Sequence, residues 1–308
     1  MDLDWTDERC ILCTLAPSER LARCSKTAAL TEEHFIPESI GGRLTCHFLC
    51  HHCNSTLGQI EARLKNDANI RFAIQALKGS LPDLWASISE GQPYLSQGPD
   101  GTVGAKLKNG VIRVNSEKRA DGSIVQPVDD SAKALSTILQ RRGATQNEIS
   151  NAEMKFKELP EGSPIKVADG IEVIKWTPDK LYPAVNSRGI DPRVLLKMAY
   201  EYLALHLGSK IFHHYFDPVR SAFLQGGVVP SCCSVQEKRV ADRKYEPFHG
   251  LVVKNTASGS VVKIRLFGYL SYPVHFFGLQ ILSAKSLCYT LHLDSKQEEL
   301  VEVEVQSG

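Results

Sequence analysis

The sequence has no apolar run near the roughly 18 residues that a membrane-spanning helix needs, so an integral membrane protein is not expected. Nor is a basic or apolar leader expected. The first ten residues, MDLDWTDERC, are acidic and polar, unlike a signal or transit peptide. Together these absences point to a cytoplasmic protein. There is no internal repeat and no low-complexity tract. Net charge is also nearly absent, +1 over 308 residues, so no global field marks a partner. That balance does not exclude nucleic acid, which needs only one basic face.

What is present is cysteine, nine in all. In a reducing compartment, thiols in paired patterns are metal ligands more often than disulfides. Cys10 and Cys13 form one C-x-x-C pair, and Cys50 and Cys53 form a second. Four thiolates suit tetrahedral Zn²⁺, and two C-x-x-C pairs are a strong sign of a structural site. A module of about 50 residues needs such a staple, because so short a segment buries little by itself. A closed four-sulfur site keeps no open position, so this zinc is expected to be structural.

The rest of the chain reads as α+β. Apolar residues recur at helical steps in LGQIEARLKNDANIRFAIQAL, from Leu57 to Leu77, and again in RVLLKMAYEYLALHLG, which Gly208 closes. The stretch 91–104 is rich in Gly, Ser, Pro and Gln and reads as a linker. VGAKLKNGVIRV reads as a hairpin turning at Asn109-Gly110. Helices are predicted near 130–142 and 146–158, the second opened by the capping-box order Thr145-x-x-Glu148. SKIFHHYFDPVRSAFLQGG reads as a helix interrupted near Pro218. The C-terminal third alternates like strands with short connections, which favours antiparallel pairing. The expected organisation is a module over 1–60 and a larger α+β domain over 61–308.

Between the cysteine pairs lies TEEHFIPESIGGRLTCHFLCHHCN, Thr31 to Asn54. Glu33-His34-x-Ile36-Pro37, then Gly41-Gly42, then Cys50-x-x-Cys53-Asn54, resembles the zinc-knuckle branch of the HNH endonucleases. The resemblance covers roughly residues 10–58. It implies a ββα-metal fold in which a hairpin turns at Gly41-Gly42 and a helix begins near Asn54. It also implies metal-dependent hydrolysis of DNA phosphodiester bonds, leaving 5′-phosphate and 3′-hydroxyl ends. In this reading His34 is the general base, and Glu33 and Asn54 hold a catalytic Mg²⁺ or Mn²⁺. The chemistry is coherent. Such ions take oxygen ligands, and an imidazole, with an ordinary pKa of about 6.5, suits a base at neutral pH.

One letter departs from the pattern. Many HNH sequences carry Asn about five residues before the third cysteine, where this chain has Thr45. Thr45 or His47 is the expected substitute; His52 reads first as exposed or as neutralising the thiolates, with contact to phosphate the alternative. Basic clusters around Lys106, Lys108 and Arg113, and around Arg243 and Lys244, are candidate nucleic-acid contacts. Bacterial nucleases of this build are found in phage defence and mobile elements, which sets that context as an expectation. A regulatory protein partner or a homodimer fits a nuclease that must be restrained, and RNA stays open beside DNA. The alternative is a zinc ribbon that binds nucleic acid or regulates without cutting it.

Overall fold

The computed structural model describes residues 2–3, 5–23, 27–98, 101–108, 111–114, 117–118, 124–128, 133–160, 163–168, 171–175, 182–183, 189–239, 244–281 and 285–304. The chain divides into two compact units, one made of Met1–Ile88 with Asn186–Gly308 and the other of Ser89–Val185. The class is α+β, as the sequence suggests. The partition differs from a division at residue 60. One continuous core joins the N-terminal module to the C-terminal segment, with Phe35, Phe48, Leu57, Tyr200, Tyr202 and Val262 among its buried members.

At the centre of the first unit is the long helix Pro192–Leu207. Asp191 caps it by accepting the Arg193 N–H at 3.0 Å, and Pro192 occupies the first turn, where no N–H is needed. Gly208 ends it with φ 53°. All residues from Val194 to Ala204 are buried, so this helix is wrapped rather than half-exposed. A seven-stranded sheet packs with it, and its main strands are Phe248–Thr256, Gly259–Leu266, Leu270–Phe277, Lys285–His292 and Gln297–Glu304. Their pairings are all antiparallel, in agreement with the short connections. Pro218 starts a helix, Asp217–Leu224, instead of interrupting one, because its missing N–H costs nothing in a first turn.

The N-terminal segment supplies a ββα element. Strands Leu30–His34 and Thr45–Cys50 pair antiparallel, Asp2–Leu3 adds a short parallel edge, and the helix His51–Glu61 follows directly. Phe35 packs edge-on against Phe48 at 5.3 Å and Tyr202 at 6.1 Å, which seats the hairpin on the long helix. The Tyr200 hydroxyl donates to the Ile11 carbonyl at 2.6 Å, tying the first cysteine loop to the same helix.

The second unit holds two four-stranded sheets and the helices Lys133–Arg141 and Gln146–Glu158, the latter with its Thr145–Glu148 capping box complete. Its own core contains Leu135, Leu139, Ile149, Phe156 and Val173. The stretch expected as a linker, 91–104, instead contributes strand Pro93–Gly98 and the start of Gly101–Lys108. The expected hairpin pairs Gly101–Lys108 with Val111–Val114, while its Asn109-Gly110 turn lies outside the described residues.

Candidate active site

The loop that joins the two hairpin strands is set by its two glycines, for different reasons. Gly41 closes the short 3-10 turn Glu38–Ile40 at φ 95°, a left-handed conformation that suits glycine. A Cβ on Gly42 would lie 1.7 Å from the Ile36 carbonyl oxygen, so any side chain there displaces backbone. The loop is clamped from the C-terminal sheet by His249, which is wholly buried. Its Nδ1 accepts the Phe267 N–H at 3.2 Å, so its Nε2 donates to the Ile40 carbonyl at 3.0 Å.

Cys10, Cys13, Cys50 and Cys53 bring their sulfurs within 4.8 Å of one another. Zn–S bonds of about 2.3 Å imply tetrahedral S–S edges of about 3.8 Å. The Cys13–Cys50 sulfurs are 3.9 Å apart, so the four residues fit zinc, consistent with a zinc knuckle. Cys50 is the N-cap of helix His51–Glu61 and Cys53 sits in its first turn, where the helix dipole favours thiolates. The Cys50 N–H also donates to the Cys10 sulfur at 3.3 Å. Hydrogen bonds from the neighbouring thiols hold Cys50 below its ordinary pKa. The helix begins at His51 rather than near Asn54, because Cys50 already caps it.

The three residues proposed from sequence for the chemistry meet at one cleft of about 320 Å³. Glu33, His34 and Asn54 line it, and so does Glu61, at the end of the same helix as Asn54. Both amide protons of Asn54 go to the first strand, to the Thr31 hydroxyl and the Glu32 carbonyl, each at 3.0 Å. That leaves Oδ1 available to a ligand. The hairpin register shifts between Thr31 and Glu32, a bulge that re-aims the residues just before Glu33. His34 lines a second, larger groove of about 1050 Å³ as well, together with Thr45, Arg43 and Lys296. It therefore stands where the acidic cleft and the groove join.

Behind the cleft lies an ionic cluster that sequence reasoning did not find. The Lys197 ammonium donates to Glu33 and, at 3.1 Å, to the His34 carbonyl oxygen. It also ion-pairs with Glu61 at 2.6 Å and Glu201 at 3.0 Å. Lys197 and Glu201 are each about 1% exposed on their side chains. Burial opposes the Lys197 charge, but Glu201, Glu61 and Glu33 outweigh it and hold the ammonium well above its ordinary pKa. Burial raises the carboxyls of Glu61 and Glu201. Three acidic side chains thus surround one ammonium. The signal in the sequence was a Lys-x-x-x-Glu pair inside an otherwise apolar helix.

The remaining expected residues fall into place unevenly. Thr45 is buried and is the register partner of His34. His47 is exposed opposite Glu32, and His52 is exposed on the first turn of the helix; neither is among the residues lining the cleft or the groove. Lys106 and Lys244 are exposed. Lys108 and Arg113 lie on the paired strands Gly101–Lys108 and Val111–Val114, and Arg243 lies outside the described residues. Among the described residues, no helix is long and apolar enough to cross a membrane.

Residues 22–69 match a family model described as HNH endonuclease. That span contains Glu33, His34, Asn54 and Glu61, the second cysteine pair and both glycines. No curated protein and no solved structure matches the chain.

Proposed function

We propose that this chain, whose residues 22–69 carry the HNH match, is a metal-dependent DNA endonuclease that works at the Glu33–His34–Asn54 cleft. The observation that carries the reading is convergence. A strand pair and a helix bring the His34 imidazole, the Glu33 and Glu61 carboxylates and the Asn54 amide oxygen to one cleft, with His34 also facing a groove of about 1050 Å³.

The donor set fits a hard divalent cation. Glu33, Glu61 and Asn54 offer only oxygen, and the cleft carries more carboxylate than cation. We assign those three residues to hold Mg²⁺ or Mn²⁺, which when bound supplies charge neutralisation at the scissile phosphate and its leaving oxygen. We assign the substrate strand to the groove, where Arg43 and Lys296 offer positive charge to its backbone beside the acids Glu32, Glu38, Asp83 and Asp294. His34 takes the proton from a water as the water oxygen attacks phosphorus, the bond from phosphorus to the 3′ oxygen breaks, and the departing 3′ oxygen takes up a proton from solvent. Products carry 5′-phosphate and 3′-hydroxyl ends. Thr45, on the same face of the hairpin as His34, orients the imidazole. The knuckle zinc holds helix to hairpin and takes no part in the chemistry.

The test is plasmid nicking by the zinc-loaded chain with Mg²⁺ or Mn²⁺. The intact protein cuts, and His34→Ala loses cutting by roughly a hundredfold to ten-thousandfold while retaining zinc and its melting curve. Undiminished cutting by His34→Ala sinks the assignment. Salt-sensitive DNA binding without metal-stimulated cutting supports a binding module instead.

A further inference from the structure

Lys197 stands 164 residues from Glu33 in sequence, on the long helix Pro192–Leu207, outside the span that matches the family model. Its contacts are unusual for a lysine. It touches two carboxylates that line the cleft, Glu33 and Glu61, and it does so through Oε1 of each. Neither of these ion pairs uses the Oε2 of Glu33 or Glu61. It also holds the His34 main chain through the carbonyl oxygen at 3.1 Å. The third carboxylate, Glu201, is fully buried one helical turn along and is not part of the cleft lining.

We infer that Lys197 is a positioning residue of the cleft, one that fixes Glu33, Glu61 and the His34 backbone and, as a built-in cation, restrains the cleft's affinity for a divalent ion. The inference rests on the nuclease reading only in taking this cleft as the divalent-ion site. The physical argument is competition. An ammonium in contact with two ligand carboxylates occupies one oxygen of each and repels a dication nearby, in a partly desolvated setting where the repulsion is poorly screened. A neutral side chain of similar length therefore strengthens ion binding. The same change frees Glu33 and the His34 main chain, and a site held less firmly turns over more slowly. Affinity and rate move in opposite directions. A lysine with a purely structural role would lower both.

The experiment titrates Mn²⁺ into the zinc-loaded, full-length chain and follows the free-ion electron paramagnetic resonance signal, with plasmid nicking measured in parallel. Lys197→Met is expected to bind Mn²⁺ about tenfold tighter, while nicking at saturating Mn²⁺ falls about a hundredfold. Lys197→Arg, which keeps the charge, stays within about threefold of the parent affinity. Glu201→Gln removes a competing partner and commits the ammonium more fully to Glu33 and Glu61, so its Mn²⁺ affinity falls about threefold or more. Circular dichroism and zinc content identify folded variants, and if Lys197→Met does not fold, Glu201→Gln decides. Equal or weaker Mn²⁺ binding by folded Lys197→Met overturns the inference. So does unchanged affinity in Glu201→Gln when that variant decides, or no Mn²⁺ binding by the parent chain. A parent chain that shows these affinity shifts yet never cuts DNA removes the nuclease reading and leaves the role of Lys197 standing.

Discussion

His34 and Thr45 are register partners across the hairpin, with Thr45 buried and His34 half-buried at the mouth of the cleft. Directly opposed residues project to the same face of a sheet. We therefore expect Thr45→Val to lower the nicking rate about tenfold with little change in apparent substrate affinity, since orientation of the imidazole is lost and binding is not. Thr45→Asn keeps a polar side chain at this position and is expected to retain cutting. Steady-state rates on a nicked-circle assay separate the two outcomes.

Removing one knuckle sulfur tests the scaffold. Cys50 both caps the helix and completes the four-sulfur cluster, so Cys50→Ser is expected to lose the zinc and loosen helix from hairpin. The loss is several kcal/mol, lowering the melting temperature by about 10 °C and abolishing cutting. Zinc release by a chromogenic chelator, alongside calorimetry, measures both parts. Retained zinc at one equivalent contradicts the assignment.

Gly42 predicts a backbone effect with no chemistry in it. An alanine Cβ would sit 1.7 Å from the Ile36 oxygen, and both atoms belong to the loop that carries Pro37. Gly42→Ala is expected to cost about 2–4 kcal/mol in urea unfolding. Gly41→Ala, strained by its positive φ and by a Cβ that would sit 2.8 Å from the movable end of the Leu293 side chain, is expected to cost about 1–2 kcal/mol.

Buried His249 makes stability depend on pH. Burial lowers its pKa to about 4 from an ordinary 6.5. Between these values the unfolded chain binds a proton that the folded chain refuses, so the stabilisation is complete above pH 6.5 and is lost as pH falls toward 4. The contribution lost is about 3 kcal/mol. Burial also lowers the pKa of His206, which adds in the same direction. Chemical denaturation between pH 7 and 4.5 is expected to show this slope, and to show less of it in His249→Gln.

Much of the nuclease-like module was legible because its constraints are local. Glu33-His34, the two glycines and the Cys50–Asn54 turn all fall on one short hairpin and the helix that follows it, and their spacing carries the geometry. The helix start was misplaced by three residues because a cysteine N-cap does not read as a cap. Glu61 was within reach. It follows Asn54 by seven residues on one helix, two turns along the same face. The Lys197 cluster was not within reach, since a charged letter in a helix reads as a solvent position until the helix is known to be wrapped on all sides. The partition of the chain was hidden for a related reason. Stretch 91–104 has the composition of a linker, and only its partners make it a pair of strands.

The lysine and the glutamate it holds also differ in when they are made. During synthesis Glu33 precedes Lys197 by 164 residues, which at ribosomal rates is roughly ten to thirty seconds. Through that interval the hairpin and knuckle exist without the helix that seats Phe35 and fixes the acidic cleft. The order of translation thus delays assembly of the cleft until the C-terminal half has emerged.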